Sequence, residues 1–595
     1  MMYTNNKMLL HLISLLKQFN IRKIVVCPGS RHMSFVHSIE QDRYFELYSV
    51  VDERSAAFFA IGLIQQSHEP VAVTCTSGTA CQNFGSAVVE AFYQRLPLLV
   101  LSGDRLDAYI NQNEDQLYDQ AKSFQHCTKF ATKLPHIQSE VDEWHCNRLI
   151  NEALNELTIH GAGPVHISFP IVDHFNVQFN IKDLPLVRKI NWHAHYQTAE
   201  QWSDIADMLR GKKVGIVWGQ SVRMTDALMS YVSEFCKTFD AVILTDKISN
   251  CNSPYAIKKT WVALRYLNVE DKQQLLPDVV IKIGGTNFFN MTLKANLINH
   301  TAEHWQVGNA SKVCDEFHCL TNLFEMDEAY FFQSITENAN FETVGNYYES
   351  WKQILSQIDS PKFEQYNELY AIGKLLTQLP NNVSLQLANS MTIRFSEFFD
   401  VDPSISVNCN RATSGIDGNL STAVGYASVE DKPLFYITGE LSFFYDMNAL
   451  CIRHLSKKMR IMLINNSGGS ILWHGKDSMC GETYSICLAA GNQVEAKRWV
   501  ESRGFKYISA HNKEEVDKGI AQLLDISSEE PIFLEVFTEF VSDYEAMDDY
   551  LWTEASKRIN VNKPSVQKRL KKKISKTIKS ILPKEKIEAL KVLLK

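Results

Sequence analysis

Apolar runs of three to five residues recur along the chain, and a helical pattern follows most of them. They are Ile24 to Cys27, Val71 to Cys75, Leu98 to Leu101, Val165 to Phe169, Val214 to Trp218, Ala241 to Leu244 and Val279 to Ile283. The rhythm returns at Val383 to Leu387, Ile405 to Val407, Leu434 to Ile437, Ile461 to Ile464 and Ile532 to Val536. Such short, continuously apolar segments predict strands buried on both faces. Their alternation with helices predicts parallel sheets covered by helices on each side. Polar stretches near Ile181 to Glu200 and Phe341 to Gln365 divide the runs into three groups. The expected fold is α/β, with three doubly wound parallel-sheet domains over residues 1–185, 186–350 and 351–555 and a basic helical tail over 556–595.

At 595 residues, 45% hydrophobic and 22% charged, the chain has the composition of a soluble globular protein, and no apolar stretch is long enough to span a bilayer. Met8 to Leu16 is punctuated by His11 and reads as an amphipathic first helix rather than a signal core. The 13 cysteines include no C-x-x-C pair, and Cys314, His318 and Cys319 lack zinc spacing, so free thiols in a reducing cytoplasm are expected. The net charge of −8 hides an asymmetry, because residues 557–595 carry +12 and the rest −20. An acidic body argues against nucleic-acid binding. In the tail, Leu570, Ile574 and Ile578 stand at i, i+4 spacing among lysines, a pattern that suits peripheral contact with an anionic membrane surface. A solvated extension is the alternative reading.

The candidate chemistry lies just past the predicted strands, where open parallel sheets bind ligands. Gly439-Glu440-Leu441-Ser442 ends one strand and Asn465-Asn466-Ser467-Gly468-Gly469 ends another. Glu440, the Asn466 side chain and the Gly468 carbonyl form an oxygen set that suits Mg²⁺ or Mn²⁺ bridged to a diphosphate. Pro28-Gly29-Ser30-Arg31 and Gly103-Asp104-Arg105, with Gln116 shortly after, present arginines at strand ends. Asn389 to Arg394 and Asn410 to Gly418 add Arg394 and Arg411. Four arginines so placed point to anionic, polycarboxylate small molecules. Glu53, in Asp52-Glu53-Arg54, falls at a helix start, where it is either a proton-transfer group or a plain helix-dipole carboxylate.

Taken in order, six motifs resemble the thiamine diphosphate-dependent synthases. They are Pro-Gly-Ser-Arg, Asp-Glu-Arg-Ser-Ala, Thr-Ser-Gly-Thr-Ala, Asn-Arg-x-x-Ser-Gly-Ile-Asp-Gly, Gly-acid-Leu-Ser and Asn-Asn-x-Gly-Gly. Within that class the pattern is most similar to the 2-succinyl-5-enolpyruvyl-6-hydroxy-3-cyclohexene-1-carboxylate synthase family of menaquinone biosynthesis, over roughly residues 3–550. The resemblance implies pyrimidine-binding, middle and diphosphate-binding domains in a homodimer or homotetramer, with thiamine diphosphate between the first domain of one subunit and the third of another. Glu53 would hydrogen-bond the aminopyrimidine ring and so promote loss of the thiazolium C2 proton. Ile416 would wedge between the cofactor rings, Ser442 would assist at the diphosphate, and Glu440, Asn466 and Gly468 would hold the metal. Gly78, Ser390 and Ser414 would also touch the cofactor. Ser390, Arg394 and Arg411 match positions for 2-oxoglutarate or its succinyl part; Arg31, Arg105 and Gln116 match positions facing isochorismate.

The chain departs from the family at several of these places. Glu440 stands where aspartate is usual, Asn290 and Met291 where a Lys-Arg pair faces the acceptor, Asp115 for an asparagine and Leu472 for a phenylalanine. Three readings follow: the family's own reaction, a diverged paralogue with another acceptor or 2-oxo acid in surface-polysaccharide or secondary metabolism, and a non-catalytic scaffold. Intact Glu53 and Ile416 argue against the scaffold.

Overall fold

The computed structural model describes residues 2–557 apart from 173–176, 191–198, 221, 223–224, 266, 298–299, 309–313, 343–344, 363–364, 473–488 and 491–492. The tail carrying Leu570, Ile574 and Ile578 lies outside the described residues. Strands β1 (Tyr3–Thr4), β2 (Lys23–Val26), β3 (Glu46–Ser49), β4 (Val71–Cys75), β5 (Leu98–Asp104), β6 (Phe130–Lys133), β7 (Val165–Pro170) and β8 (Phe179–Ile181) come first. Six of them form a parallel sheet in the order β3-β2-β4-β5-β7-β6, and β1 pairs antiparallel with β8. Next come β9 (Val214–Trp218), β10 (Val242–Leu244), β11 (Ala256–Ile257), β12 (Val279–Ile283), β13 (Glu303–Val307) and β14 (Leu320–Phe324), in the parallel order β11-β10-β9-β12-β13-β14.

The third sheet contains β15 (Ser384–Leu387), β16 (Ser406–Cys409), β17 (Leu434–Gly439), β18 (Met459–Asn465), β19 (Lys506–Ala510) and β20 (Ile532–Phe537). Its parallel order, β16-β15-β17-β18-β20-β19, has the same connectivity as the first sheet. The α/β expectation of three parallel sheets is met. Each predicted apolar run lies on a strand or overlaps one by most of its length, because strands such as β4, β9 and β18 are buried at every position. The edge strands β3, β6, β14 and β19 are partly or fully exposed at nearly every position, so they carry no continuous apolar run.

One helix pair joins the first and third domains. Helix Glu53–Ser67 starts at the N-cap Asp52, whose side chain accepts the Ser55 N–H at 3.3 Å. It crosses helix Asn419–Ala427 at two glycines, where a Cβ on Gly62 would sit 2.1 Å from the Thr422 carbonyl oxygen and one on Gly425 would sit 2.2 Å from that of Phe59. Only hydrogen at those positions lets the backbones meet this closely. The resulting apolar cluster runs from Val73 and Phe59 through Leu420 and Val424 to Tyr436 and Ile461. A second cluster joins the middle sheet to the opposite face of the third, through Val217, Leu244, Leu387 and Phe435. Among the described residues, no helix is long and apolar enough to cross a membrane.

Candidate functional site

The third sheet changes direction between β15 and β17, and a crevice opens beyond the carboxyl ends of strands at such a reversal. Ser390 follows β15, Glu440 follows β17 and Asn466 follows β18. A cleft of about 60 Å³ opens there, and Ser390, Ile416, Glu440, Ser442, Asn466 and Gly468 all line it. These six sequence-predicted residues are therefore gathered by the fold.

Glu440 is buried, and the backbone N–H groups of Asn466 and Gly468 lie close to its carboxylate. Burial outweighs the pull of those N–H groups and pushes its pKa up to about 7. Its Oε1 is buried without a hydrogen-bond partner, and so is Asn466 Oδ1. Two unpartnered acceptors lining one cleft are costly in the protein alone and suit a bound cation. Among the described residues no three or more His, Cys, Asp or Glu side chains are grouped to hold a metal by themselves. An ion here would draw on one carboxylate, one amide oxygen, backbone and a bound anion, as Mg²⁺ typically does. Above this floor, the Ser442 hydroxyl donates to the Ile416 carbonyl at 2.7 Å, and the Ile416 side chain remains 37% exposed at the rim.

Ser390 and Ser414 both adopt left-handed backbone, with φ of 79° and 60°, a conformation uncommon for residues other than glycine and found at functional turns. Arg394 donates to the Ser390 carbonyl at 2.5 Å, and Ser414 donates to the Arg411 carbonyl at 3.1 Å. Arg394 and Arg411 lie 5.7 and 5.0 Å from the ring centre of Phe288, a middle-domain residue. Burial, then the nearby charges of Arg411 and Arg265, lower the Arg394 pKa to about 10. Two guanidiniums held this near one another favour an anion between or beside them. Where the family's Lys-Arg pair is replaced, Asn290 donates to Glu316 at 2.7 Å and Met291 is exposed, so neither supplies a cation.

The first sheet reverses between β2 and β4, and its predicted residues cluster at that end. Arg31 N–H donates to Thr76 Oγ1 at 3.1 Å, joining the loops after the two strands. Gly78 has φ of 86°, and a Cβ there would lie 3.1 Å from Gln116 Cα. Arg105 pairs with Glu114 at 2.8 Å and donates to the Asp115 carbonyl at 3.0 Å. Glu53 opens its helix beside the ends of β2 and β4, where its charge adds to burial in raising the thiol pKa values of Cys27 and Cys75. Within one chain, Glu53, Arg31, Gly78, Arg105 and Gln116 do not line the cleft of Glu440 and Asn466; neither do Arg394, Arg411 and Ser414.

Four further residues support the site and escaped sequence reasoning. Phe288 carries the two arginines. Asp543 accepts the Asn466 amide at 2.8 Å. Buried Glu368 lines the cleft, its pKa raised by burial and then by Asp543 and Glu440. Glu90 of the first domain holds the loop that bears Arg411 and Ile416. None sits in a recognisable motif, because each acts across a long stretch of chain.

Residues 7–123 match the family model described as thiamine pyrophosphate enzyme, N-terminal TPP binding domain. A solved benzoylformate decarboxylase from Polynucleobacter necessarius superposes with a TM-score of 0.66 at 16% identity, covering 91% of this chain and 99% of that one, which shows the fold. The 2-succinyl-5-enolpyruvyl-6-hydroxy-3-cyclohexene-1-carboxylate synthase of Phocaeicola vulgatus is 39% identical over 92% of this chain and 98% of its own length. That of Bacteroides thetaiotaomicron is 39% identical over 92% and 99%, and that of Flavobacterium johnsoniae 30% over 90% and 97%. With alignments of this length joined to a cleft of this make-up, the chain belongs to the 2-succinyl-5-enolpyruvyl-6-hydroxy-3-cyclohexene-1-carboxylate synthase family of thiamine diphosphate-dependent enzymes.

Proposed function

We propose that this protein decarboxylates 2-oxoglutarate and joins the resulting four-carbon unit to isochorismate, forming 2-succinyl-5-enolpyruvyl-6-hydroxy-3-cyclohexene-1-carboxylate in menaquinone biosynthesis. The reading rests chiefly on one observation: the unpartnered oxygens of Glu440 and Asn466 share a cleft at the sheet reversal, in a chain 39% identical to synthases of that name. When bound, thiamine diphosphate supplies the carbon nucleophile and the electron sink for loss of CO₂.

Glu440, Asn466 and Gly468 would hold Mg²⁺ or Mn²⁺ against the diphosphate. Ser442 would steady the diphosphate, Ile416 would shape the cofactor from the rim, and Ser390 and Ser414 would contact it from the left-handed turns. Arg394 and Arg411 would bind the carboxylates of 2-oxoglutarate. Arg31, Arg105 and Gln116 would face the acceptor, and Glu53 and Gly78 would meet the pyrimidine ring. Since Glu53 does not line the cleft of its own chain, a second copy would supply it, which makes the working unit a homodimer or a homotetramer. In this reading residues 1–185 bind the pyrimidine, 186–350 form the middle domain and 351–555 bind the diphosphate. Among the described residues eleven cysteines are free, eight of them buried, in keeping with a reducing cytoplasm.

Purified protein with Mg²⁺, thiamine diphosphate and 2-oxoglutarate is expected to release CO₂ slowly, and faster when isochorismate is added. Release that isochorismate does not accelerate would overturn the proposed acceptor. Glu53→Gln is expected to suppress both rates while leaving the fold intact by circular dichroism.

A further inference from the structure

Asn466 can help to hold a cation only if its amide oxygen, and not its NH₂, faces the cleft. The two ends of an amide are nearly the same size, so something must decide between them. The deciding contact is a hydrogen bond of 2.8 Å from Asn466 Nδ2 to Asp543 Oδ2. The same Oδ2 accepts the Thr538 hydroxyl at 2.7 Å, and Oδ1 accepts the Glu368 backbone N–H at 2.7 Å. Asp543 is fully buried. An ionised carboxylate only accepts hydrogen bonds, so it draws the Asn466 NH₂ toward itself. The planar amide then points Oδ1 the other way, where it lies buried and unpartnered.

We propose that Asp543 is a positioning residue for the metal site: by fixing which end of the Asn466 amide meets the cleft, it sets the cation affinity of the Glu440–Asn466 pair. The inference rests on the metal reading given above. Partners of this kind govern ligand orientation, and their loss weakens metal binding by about 10- to 100-fold. Thr538 and the Glu368 N–H hold the Asp543 carboxylate in turn, so the amide faces a fixed acceptor and not a mobile side chain.

Asp543→Asn gives the decisive test. Its single oxygen keeps the Glu368 N–H, which leaves its NH₂ facing residue 466. The Asn466 amide must then turn over and present NH₂ to the cation. Exchanging the two residues, Asp543→Asn with Asn466→Asp, gives the NH₂ at 543 an acceptor at 466 and again leaves an oxygen facing the cleft. Mn²⁺ binding, followed by electron paramagnetic resonance at saturating thiamine diphosphate, is expected to weaken at least ~10-fold in the single variant and to return to within ~3-fold of wild type in the exchanged pair.

Unchanged Mn²⁺ affinity in Asp543→Asn overturns this inference alone. Failure of the wild type to bind Mn²⁺ overturns the metal reading and this inference with it. Should the single variant not fold, the exchanged pair decides: folded protein that binds Mn²⁺ supports the inference, and folded protein that does not bind it overturns it.

Discussion

Glu90 accepts the backbone N–H of Thr413 at 2.9 Å, across 323 positions of sequence, and so ties a first-domain helix to a third-domain loop. The same carboxylate accepts the Ala412 N–H at 3.1 Å, the Gln94 amide at 2.6 Å and the Thr413 hydroxyl. The loop it holds carries Arg411 on one side and Ser414 and Ile416 on the other. Glu90→Ala leaves two part-buried backbone donors without their acceptor, which is expected to cost about 1 to 2 kcal/mol. Urea unfolding reads that loss, and a thiamine diphosphate titration should show weaker binding as the loop loosens. A variant equal to wild type in both would mean that the loop keeps its shape unaided.

The glycine crossing between helices Glu53–Ser67 and Asn419–Ala427 makes a second prediction. A methyl group on Gly425 would lie 2.2 Å from the Phe59 carbonyl oxygen, so the helices must separate to admit it. Separation also disturbs the bond from the Thr422 hydroxyl to the Phe58 carbonyl, 3.2 Å long. Gly425→Ala is expected to destabilise the protein by about 3 kcal/mol or more, read as a lowered urea midpoint. No shift in the midpoint would show that the two domains are free to move apart.

Arg394 and Arg411 should act chiefly on binding of the 2-oxo acid. Removing one partner of a buried guanidinium–carboxylate pair costs about 2 to 5 kcal/mol, so either arginine changed to alanine should raise KM for 2-oxoglutarate by about 30-fold or more. Lysine should recover only part of the loss, since it lacks the planar fork. Steady-state kinetics decide the matter, and a KM that stays put would move 2-oxoglutarate away from the Phe288 wall.

His32 gives the protein an acid-sensitive element. Burial lowers its pKa from 6.5 to about 4, and Nδ1 lies 3.0 Å from the Thr74 hydroxyl. The unfolded chain takes up a proton below pH 6.5, whereas the folded one resists until about pH 4. The stabilisation that neutral His32 contributes is therefore present above pH 6.5 and lost as the pH falls from 6.5 to 4, by roughly 3 kcal/mol in all. Wild type and His32→Gln should accordingly draw closer in stability across that window, as read by chemical denaturation at each pH. A constant gap between them would place the His32 titration outside it.

The interior strands, and through them the α/β class, were legible because a strand buried on both faces needs apolar residues at nearly every position, as in Val71 to Cys75. Glu440 and Asn466 could be placed together for a related reason. Both follow such strands directly, and adjacent parallel strands deliver the residues after them to one edge. The outer strands were not legible, since Glu46–Ser49 and Leu320–Phe324 are partly solvated and can be polar. Nor could sequence show that Asp543 orients Asn466, that Glu90 holds Thr413, or that Phe288 carries two arginines. Those relationships depend on the direction of an amide, a carboxylate or a ring between segments far apart in the chain. Periodicity and spacing describe which face of a local element is buried, and only the packed structure decides what each buried polar atom meets there.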